Sequence, residues 1–327
     1  MKEIRLKDLP ANPEIQKAIL QARKMVVLVG AGISTSGGVQ DFRGARGLYT
    51  KDKTSMQDLF DALHVFSTEE KTRKFYSFMG ELSGAVEAAR PTATHKFLKE
   101  LDSHGKLLRV YSQNIDYLEE RAGIPTGIDK SSRVIPLHGT LKEVSCRMPN
   151  CRHTEALTSK IREEFASGEA PPCPNCVEMN EVKSAVNKRV GRGGSLRPRI
   201  ILYNETHPQG SQIAEIMLSD ARRKPDLLII MGTSLKIPGC KDLIRSLGKV
   251  IHEKKGLVIF INDKAVSSSE WDSLIDFHIS CKTDSFSKKM QPRVDEHETE
   301  KEQRKRKRIE KGILFIFFSL FCDVTGK

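Results

Sequence analysis

No segment of the 327-residue chain holds the roughly 20 consecutive apolar residues that an α-helix needs to cross a bilayer. The strongly apolar stretch near the C-terminus, Ile313–Cys322, is ten residues long, so no transmembrane segment is expected. A buried terminal strand, an interfacial contact and an erroneous gene model all fit it. The N-terminus, MKEIRLKDLP, lacks an apolar core of signal-peptide length, which argues against secretion. Cysteine is scarce too: there are seven, four of them in two close pairs, a pattern that suits an intracellular metal site better than a disulfide framework. Between Lys183 and Arg199 there is no acid at all. That stretch carries Lys183, Lys188, Arg189, Arg192, Arg197 and Arg199 with Gly191, Gly193 and Gly194 among them, and reads as a basic loop. It also lacks interleaved aromatics, which weakens any case for stacking on single-stranded bases. A solvated face and an electrostatic contact with DNA or an acidic protein surface both account for it.

What is present is a basic, otherwise ordinary globular composition: 38% hydrophobic, 29% charged and a formal charge of +12. The surplus favours nucleic acid, acidic surfaces or proteins bound to nucleic acid, without choosing among them. The length suits one large domain with a smaller one inserted.

The chain is organised around Met25–Gly44. Met25–Val29 is an apolar run of strand length that empties into Gly30-Ala31-Gly32-Ile33-Ser34. A buried strand ending in a glycine turn lets backbone approach a phosphate, with the N–H groups of a following helix facing the anion. The usual dinucleotide fingerprint is incomplete, because Thr35 stands at its third glycine and no strand-end acid follows about 20 residues on. Asp41-Phe42-Arg43 then sets a charged pair around an aromatic in a loop of small residues. Ahead of this stretch, Ile15, Ile19 and Leu20 predict a short packing helix. Behind it, residues 45–90 carry Leu59, Phe60, Leu63, Phe66, Phe75, Phe78 and Met79 at helical spacings, and predict a helical module covering the nucleotide loop.

A helix capped by Thr92 or Thr94 is predicted through Leu101, followed by a strand over Leu107–Tyr111. Gln113, Asn114 and Asp116 sit at that strand's carboxyl end, where open α/β sheets bind ligands. Val134–Leu137 leads into His138-Gly139. A histidine has an ordinary pKa near 6.5 and accepts a proton near neutral pH, and the adjacent glycine leaves room for substrate. The remaining eight histidines lack comparable context. Arg199–Tyr203, Leu227–Met231 and Leu257–Ile261 are apolar runs that fit a parallel sheet covered on both faces, with Gly232-Thr233-Ser234-Leu235 and Asn262-Asp263 leaving the last two.

Cys146-x4-Cys151 is separated by 21 residues from Cys173-x2-Cys176. Two thiolate pairs supply four soft ligands at tetrahedral corners, which suits zinc, with iron or a disulfide pair next in order. A site closed by four cysteines has no open position for water and is structural. His153 stands close enough to compete for a position.

Taken in order, GAGIS, Asp41-Phe42-Arg43, Gln113-Asn114-Ile115-Asp116, Leu137-His138-Gly139, the four cysteines and Gly232-Thr233-Ser234 resemble the sirtuin family of NAD-dependent protein deacylases over residues 15–284. The resemblance implies a Rossmann-like parallel-sheet domain with a smaller helical and zinc-binding module. It implies Zn2+ on Cys146, Cys151, Cys173 and Cys176, in an insert over 142–198. It implies NAD held by Gly30, Ala31, Gly32, Ser34, Asp41, Phe42, Arg43, Gln113, Asn114, Asp116, Gly232, Thr233, Ser234, Asn262, Asp263 and Lys282, with His138 and Asn114 catalytic. An acylated peptide would add as a strand between the Leu202–Glu205 loop and Leu235–Gly239. Two departures from the family pattern stand out. Gly37-Gly38-Val39-Gln40 lacks the usual proline, which raises loop entropy, and Tyr203-Asn204-Glu205 sets an asparagine where glycine is usual, which narrows the cleft.

Within the family the chain looks most like fungal nuclear sirtuins that deacetylate histone H3. That implies a histone deacetylase of the nucleus, acting on acetylated histone or another acyl-lysine protein and transferring acetyl to ADP-ribose. A mono-ADP-ribosyltransferase and a catalytically weak chromatin-binding module are the alternatives. Residues 285–327 are expected to form a polar tail, dispensable for peptide turnover, whose Arg304–Arg308 block contacts chromatin or DNA or directs nuclear import.

Overall fold

The computed structural model describes residues 1–39, 58–266 and 269–324, with side chains described as far as residue 310. In chain order the strands are β1 (Lys2–Arg5), β2 (Met25–Val29), β3 (Leu107–Ser112), β4 (Val134–Pro136), β5 (Gly139–Cys146), β6 (Thr154–Ala156), β7 (Leu196–Ile200), β8 (Leu227–Met231), β9 (Leu257–Asn262) and β10 (Phe277–Ser280). The helices are α1 (Pro13–Gln21), α2 (Ala62–Val65), α3 (Glu69–Ala88), α4 (Ala93–Ser103), α5 (Leu118–Arg121), α6 (Ser159–Ala166), α7 (Pro174–Ala185), α8 (Gly210–Arg222), α9 (Pro238–Glu253) and α10 (Thr283–Val324).

Every residue of β2, β3 and β8 is buried, because continuous apolar strands are stable only with both faces covered. They form the centre of a seven-stranded parallel sheet of order β1-β10-β9-β8-β2-β3-β4. On one face Ile15 and Ile19 of α1, Phe97, Leu98 and Leu101 of α4 and Phe286, Met290 and Val294 of α10 cover it. On the other, α9 presents Leu243, Ile244, Leu247 and Ile251, a stripe at helical spacing. Asp220 of α8 is fully buried, where it accepts from Arg109 Nε and Tyr111 Oη of β3, each at 2.8 Å. Order reverses at β2: the chain moves through β3 to β4 on one side and through β8, β9 and β10 on the other. The switch point, where α/β sheets bind ligands, therefore lies beyond Val29 and Met231.

A second lobe is built on the antiparallel sheet β6-β5-β7 and on α2, α3, α6 and α7. The helical segment before residue 90 and the cysteine-bearing insert share one core here, with Phe75, Tyr76, Phe78 and Met79 of α3 meeting Ile161 and Phe165 of α6. Gly80 allows this approach, since a Cβ there would lie 2.4 Å from the Ala166 nitrogen.

Two expectations change. The run Arg199–Tyr203 is not a strand of the parallel sheet: β7 ends at Ile200 and pairs antiparallel with β5 in the smaller lobe. The sequence LRPRI alternates, burying Leu196, Pro198 and Ile200 on one face while Arg197 and Arg199 turn to the other, where they pair with Glu205 and Glu143. The chain after residue 284 is not a polar tail from its start. It opens as α10, whose first turns bury Phe286, Met290 and Val294 in the main core, and Glu298 pairs with the buried Lys106 at 2.7 Å. From Lys301 to Glu310 the helix is exposed. Among the described residues no helix is long and apolar enough to cross a membrane.

Candidate active site

The glycines at the switch point serve first to bring two chain segments together. Gly30 N–H donates to Met231 O at 3.0 Å and Gly32 N–H to Gly232 O at 2.9 Å. A Cβ on Gly30 would lie 2.8 Å from Gly232 O, one on Gly32 2.8 Å from Gly232 Cα, and Gly232 itself holds φ at +61°. Only glycine fits this crossing of the β2 and β8 exits. Among the described residues the helix expected after the turn does not follow directly. Ala31–Ile33 and Thr35–Gly37 form two 3₁₀ turns, consistent with Thr35 in place of the third fingerprint glycine. Nor is the proline-free start of the following loop loose. Gly37 packs where a Cβ would meet Arg90 O at 2.4 Å, Gly38 is left-handed at φ +103°, and Val39 is buried.

At the end of β3, Gln113 reaches across the crevice and pairs with Thr233, its Nε2 donating to Oγ1 at 3.1 Å. Asn114 is buried, its N–H bound to Ser112 Oγ at 3.1 Å and its Nδ2 3.5 Å from the buried Ser34 Oγ, while its Oδ1 is buried without a partner among the described residues. An unpaired carbonyl at a strand end is costly unless a ligand supplies the donor. His138 is half-buried at the exit of β4, with Nδ1 2.9 Å from Gln113 O. A carbonyl only accepts, so Nδ1 carries the proton and Nε2 is left as the free base. Burial holds His138 below the usual histidine pKa, partly offset by the Gln113 carbonyl, which keeps it neutral at pH 7.

Three further buried groups lie beneath. Facing ligand atoms of His95, Asp116 and Glu119 all lie within 4.8 Å of one another. Burial, and then the facing Asp116 charge, pushes Glu119 up to about 8, so it holds a proton at neutral pH and donates none of its charge to the site. Burial likewise raises Asp116, against which Ser34 and the Leu118 N–H stabilise its carboxylate. His95 is driven down to about 4 by burial and closes a capping box with Thr92. Sequence reading missed His95 and Glu119. The Thr92-x-x-His95 spacing carried the capping signal for the first, whereas Glu119, in the run LEER, resembles any solvated helix acid.

The structure thus gathers Gly30, Gly32, Ser34, Gln113, Asn114, Asp116, His138, Gly232 and Thr233. Ala31 lies in the first 3₁₀ turn and Ser234 is exposed just past Thr233. Asn262 closes β9, where its carbonyl accepts from Cys281 N–H at 3.2 Å. Asp263 and Lys282 are exposed at neighbouring strand exits, one after β9 and the other leading into α10, and are not bonded to the central group. Asp41, Phe42 and Arg43 lie outside the described residues. Asp284 ties α10 to the crevice by accepting from Ser36 Oγ and, at 2.6 Å, from Thr94 Oγ1.

In the smaller lobe the four cysteine sulfurs lie within 4.8 Å of one another, with Cys146–Cys176 at 3.7 Å and Cys151–Cys173 at 3.8 Å. Sulfurs placed tetrahedrally about 2.3 Å from one ion stand about 3.8 Å apart. Met148 N–H and Asn175 Nδ2 point at Cys146 and Cys151 sulfur, at 3.4 and 3.3 Å. Gly194 closes the cradle, since a Cβ there would stand 2.6 Å from Cys146 Sγ. His153 is turned aside to Glu155 at 3.1 Å and does not join the set. Of the basic loop, Arg197 is bound to Glu205 and Arg199 to Glu143, leaving Lys188, Arg189 and Arg192 exposed.

The peptide-edge residues are fixed from behind. Tyr203 N–H donates to Phe60 O at 2.6 Å and its carbonyl accepts from Ala62 N–H at 3.1 Å. Asn204 is left-handed at φ +65°, and its Nδ2 contacts both Asp61 oxygens, at 2.9 and 3.0 Å. The expected narrowing of the cleft by Asn204 therefore does not follow from its position, because its amide is spent on Asp61.

A doubly wound α/β sheet with a glycine-lined crevice at its switch point, joined to a lobe closed by four clustered cysteines, defines the class. Within it, the chain belongs to the Sir2 family, whose model matches residues 30–239. It is 38% identical over 295 residues to the NAD-dependent histone deacetylase HST3 of Candida albicans, covering 84% of this chain and 60% of the relative. It is 36% identical over 268 residues to the NAD-dependent histone deacetylase HST4 of Saccharomyces cerevisiae, covering 80% and 72%. The chain thus spans about 60% of the length of the first of these relatives. Among solved structures, a Sir2 homologue in complex with NAD superposes with a TM-score of 0.67 at 25% identity, covering 88% of this chain and 94% of that one. A Sir2 variant with a deacetylated p53 peptide and acetyl ADP-ribose gives 0.64 at 26% identity, covering 87% and 96%.

Proposed function

We propose that this chain is an NAD-dependent protein lysine deacetylase acting on histones, which releases nicotinamide and acetyl-ADP-ribose. The observation that carries the reading is the bond from His138 Nδ1 to Gln113 O. It fixes a neutral imidazole with a free Nε2 beside the same strand end that presents Asn114 Oδ1 without a partner. NAD, when bound, supplies nicotinamide as the leaving group and ADP-ribose as acceptor of the acetyl group. On the protein's side, Gly30, Gly32 and Gly232 shape the phosphate end of the crevice, and Gln113 and Thr233 brace each other across it. Asn114 Oδ1 orients a donor of the ribose and nicotinamide, Ser34 and Asp116 hold Asn114 and its strand in place, and His138 Nε2 takes a ribose hydroxyl proton. Asn262, Asp263 and Lys282 would line the adenosine end. The names of the curated relatives and the presence of NAD and a p53 peptide in the related structures support this reading.

The same reading assigns Zn2+ to Cys146, Cys151, Cys173 and Cys176 in a structural role. It places the protein in the nucleus, where the exposed basic part of α10 and Lys188, Arg189 and Arg192 contact chromatin. The test is the purified chain with NAD and acetyl-lysine histone peptides, measuring nicotinamide and acetyl-ADP-ribose together. Equal, peptide-dependent release of both is expected. ADP-ribose attached to protein, with no deacetylated peptide, would instead identify a mono-ADP-ribosyltransferase. No turnover with intact NAD binding would leave a chromatin-binding module.

A further inference from the structure

His207 lies in the turn that leads from the Tyr203–Glu205 edge into α8, and nothing in its sequence context distinguishes it. Its Nδ1 accepts the Gln209 N–H at 3.0 Å. A ring nitrogen that accepts is unprotonated, so in the neutral imidazole the proton sits on Nε2. That Nε2 is buried and has no partner among the described residues. His138 has the opposite arrangement, Nδ1 protonated and Nε2 free. The two residues come from adjoining backbone: β7 runs beside His138, whose carbonyl accepts from Ile201 N–H at 2.9 Å, and His207 follows on the loop leaving β7. The molecule thus holds a base nitrogen on one histidine and a buried, unsatisfied N–H donor on the other, beside the edge where an acylated peptide would pair.

We propose that His207 is a positioning residue for the substrate, whose Nε2–H donates to a carbonyl oxygen of the acyl-lysine peptide next to His138. An N–H buried without an acceptor costs free energy that a bound carbonyl restores. The acceptor belongs to the peptide rather than to NAD, because His207 continues the loop of Tyr203–Glu205, while Gly30, Gly232 and Thr233 lie at the exits of β2 and β8. Burial, helped by the nearby Arg199 guanidinium, holds His207 below the usual histidine pKa, so it is neutral and keeps this tautomer at pH 7. The inference rests on the deacetylase reading and is tested so that the two fail separately.

Full-length wild type, His207→Leu and His207→Gln are compared for steady-state turnover with an acetyl-lysine histone peptide, and for binding of a labelled acetyl-lysine peptide in the presence of ADP-ribose, which needs no turnover. Glutamine places an amide N–H near the position of Nε2, whereas leucine offers none. Expected are a loss of about tenfold in peptide affinity and a matching rise in peptide KM for His207→Leu, an NAD KM within about twofold of wild type, and recovery in His207→Gln. If the leucine variant fails to fold, His207→Asn, whose amide is too short to reach, takes its place. Unchanged peptide affinity in the leucine or asparagine variant, or an equal loss in the glutamine variant, would overturn the proposal. Wild type that binds the peptide but never turns over would refute the deacetylase reading while leaving the His207 comparison intact.

Discussion

His138 depends on a single hydrogen bond for its tautomer and on its burial for its charge state. A base must be unprotonated to act, and a depressed pKa extends the neutral form to lower pH. The acid limb of kcat/KM is therefore expected to have its midpoint below 6.5, with activity rising as pH increases through it; a midpoint at or above 6.5 in a pH profile would contradict this. His138→Ala is expected to lower kcat about 10²–10⁴-fold, the usual contribution of a positioned base, with NAD affinity by calorimetry little changed. This histidine was legible in the sequence because an apolar run, a histidine and a glycine fall in that order. His207 was not, because its role rests on a backbone N–H two residues on and on burial that only the folded loop creates. Asn204 was legible as a departure but not in its effect: the left-handed φ that asparagine tolerates turns its amide toward Asp61.

At the scale of elements, α10 changes what the C-terminal sequence predicts. Its polar composition hid three apolar residues, Phe286, Met290 and Val294, spaced four apart and so on one face of the helix. Burying each contributes about 1.5–3 kcal/mol, a large part of the 5–15 kcal/mol by which a domain is stable. Truncation after residue 284 is therefore expected to abolish cooperative thermal unfolding, whereas truncation after residue 300, which removes the exposed basic segment and the apolar stretch beyond it, is expected to keep the core and peptide turnover. Equal melting curves for the two truncations would refute this. Lys106 and Glu298 bind the helix further along. Burial would raise Glu298, but the Lys106 and Lys301 ammonium groups override it and hold Glu298 down to about 2. Because the folded pKa is depressed, this stabilisation is present above the unfolded carboxylate value near 4.3 and is lost as pH falls toward 2.

For the molecule as a whole, periodicity and strand-end motifs revealed the parallel sheet and its crevice, since continuous apolar strands can be buried only in such a sheet. They did not reveal that the helical segment and the cysteine insert share one core, because contacts such as Gly80 with Ala166 join residues far apart in sequence. All four cysteines pack in or against that core, so the metal and the smaller lobe should unfold together. About one zinc per chain is expected by metal analysis, and chelation should release the smaller lobe to hydrogen exchange while β2, β3 and β8 stay protected. Uniform exchange across both lobes, or full activity without metal, would count against this.

The first strand of the large sheet, β1, pairs with β10, and Met1 N donates to Asp272 O across 271 residues. During translation the ribosome therefore exposes one edge of the nascent sheet long before its partner has been made. Phe286, Met290 and Val294 emerge later still. The nascent chain is then expected to carry an open strand edge and an uncovered apolar face until nearly all of the sheet has been synthesised.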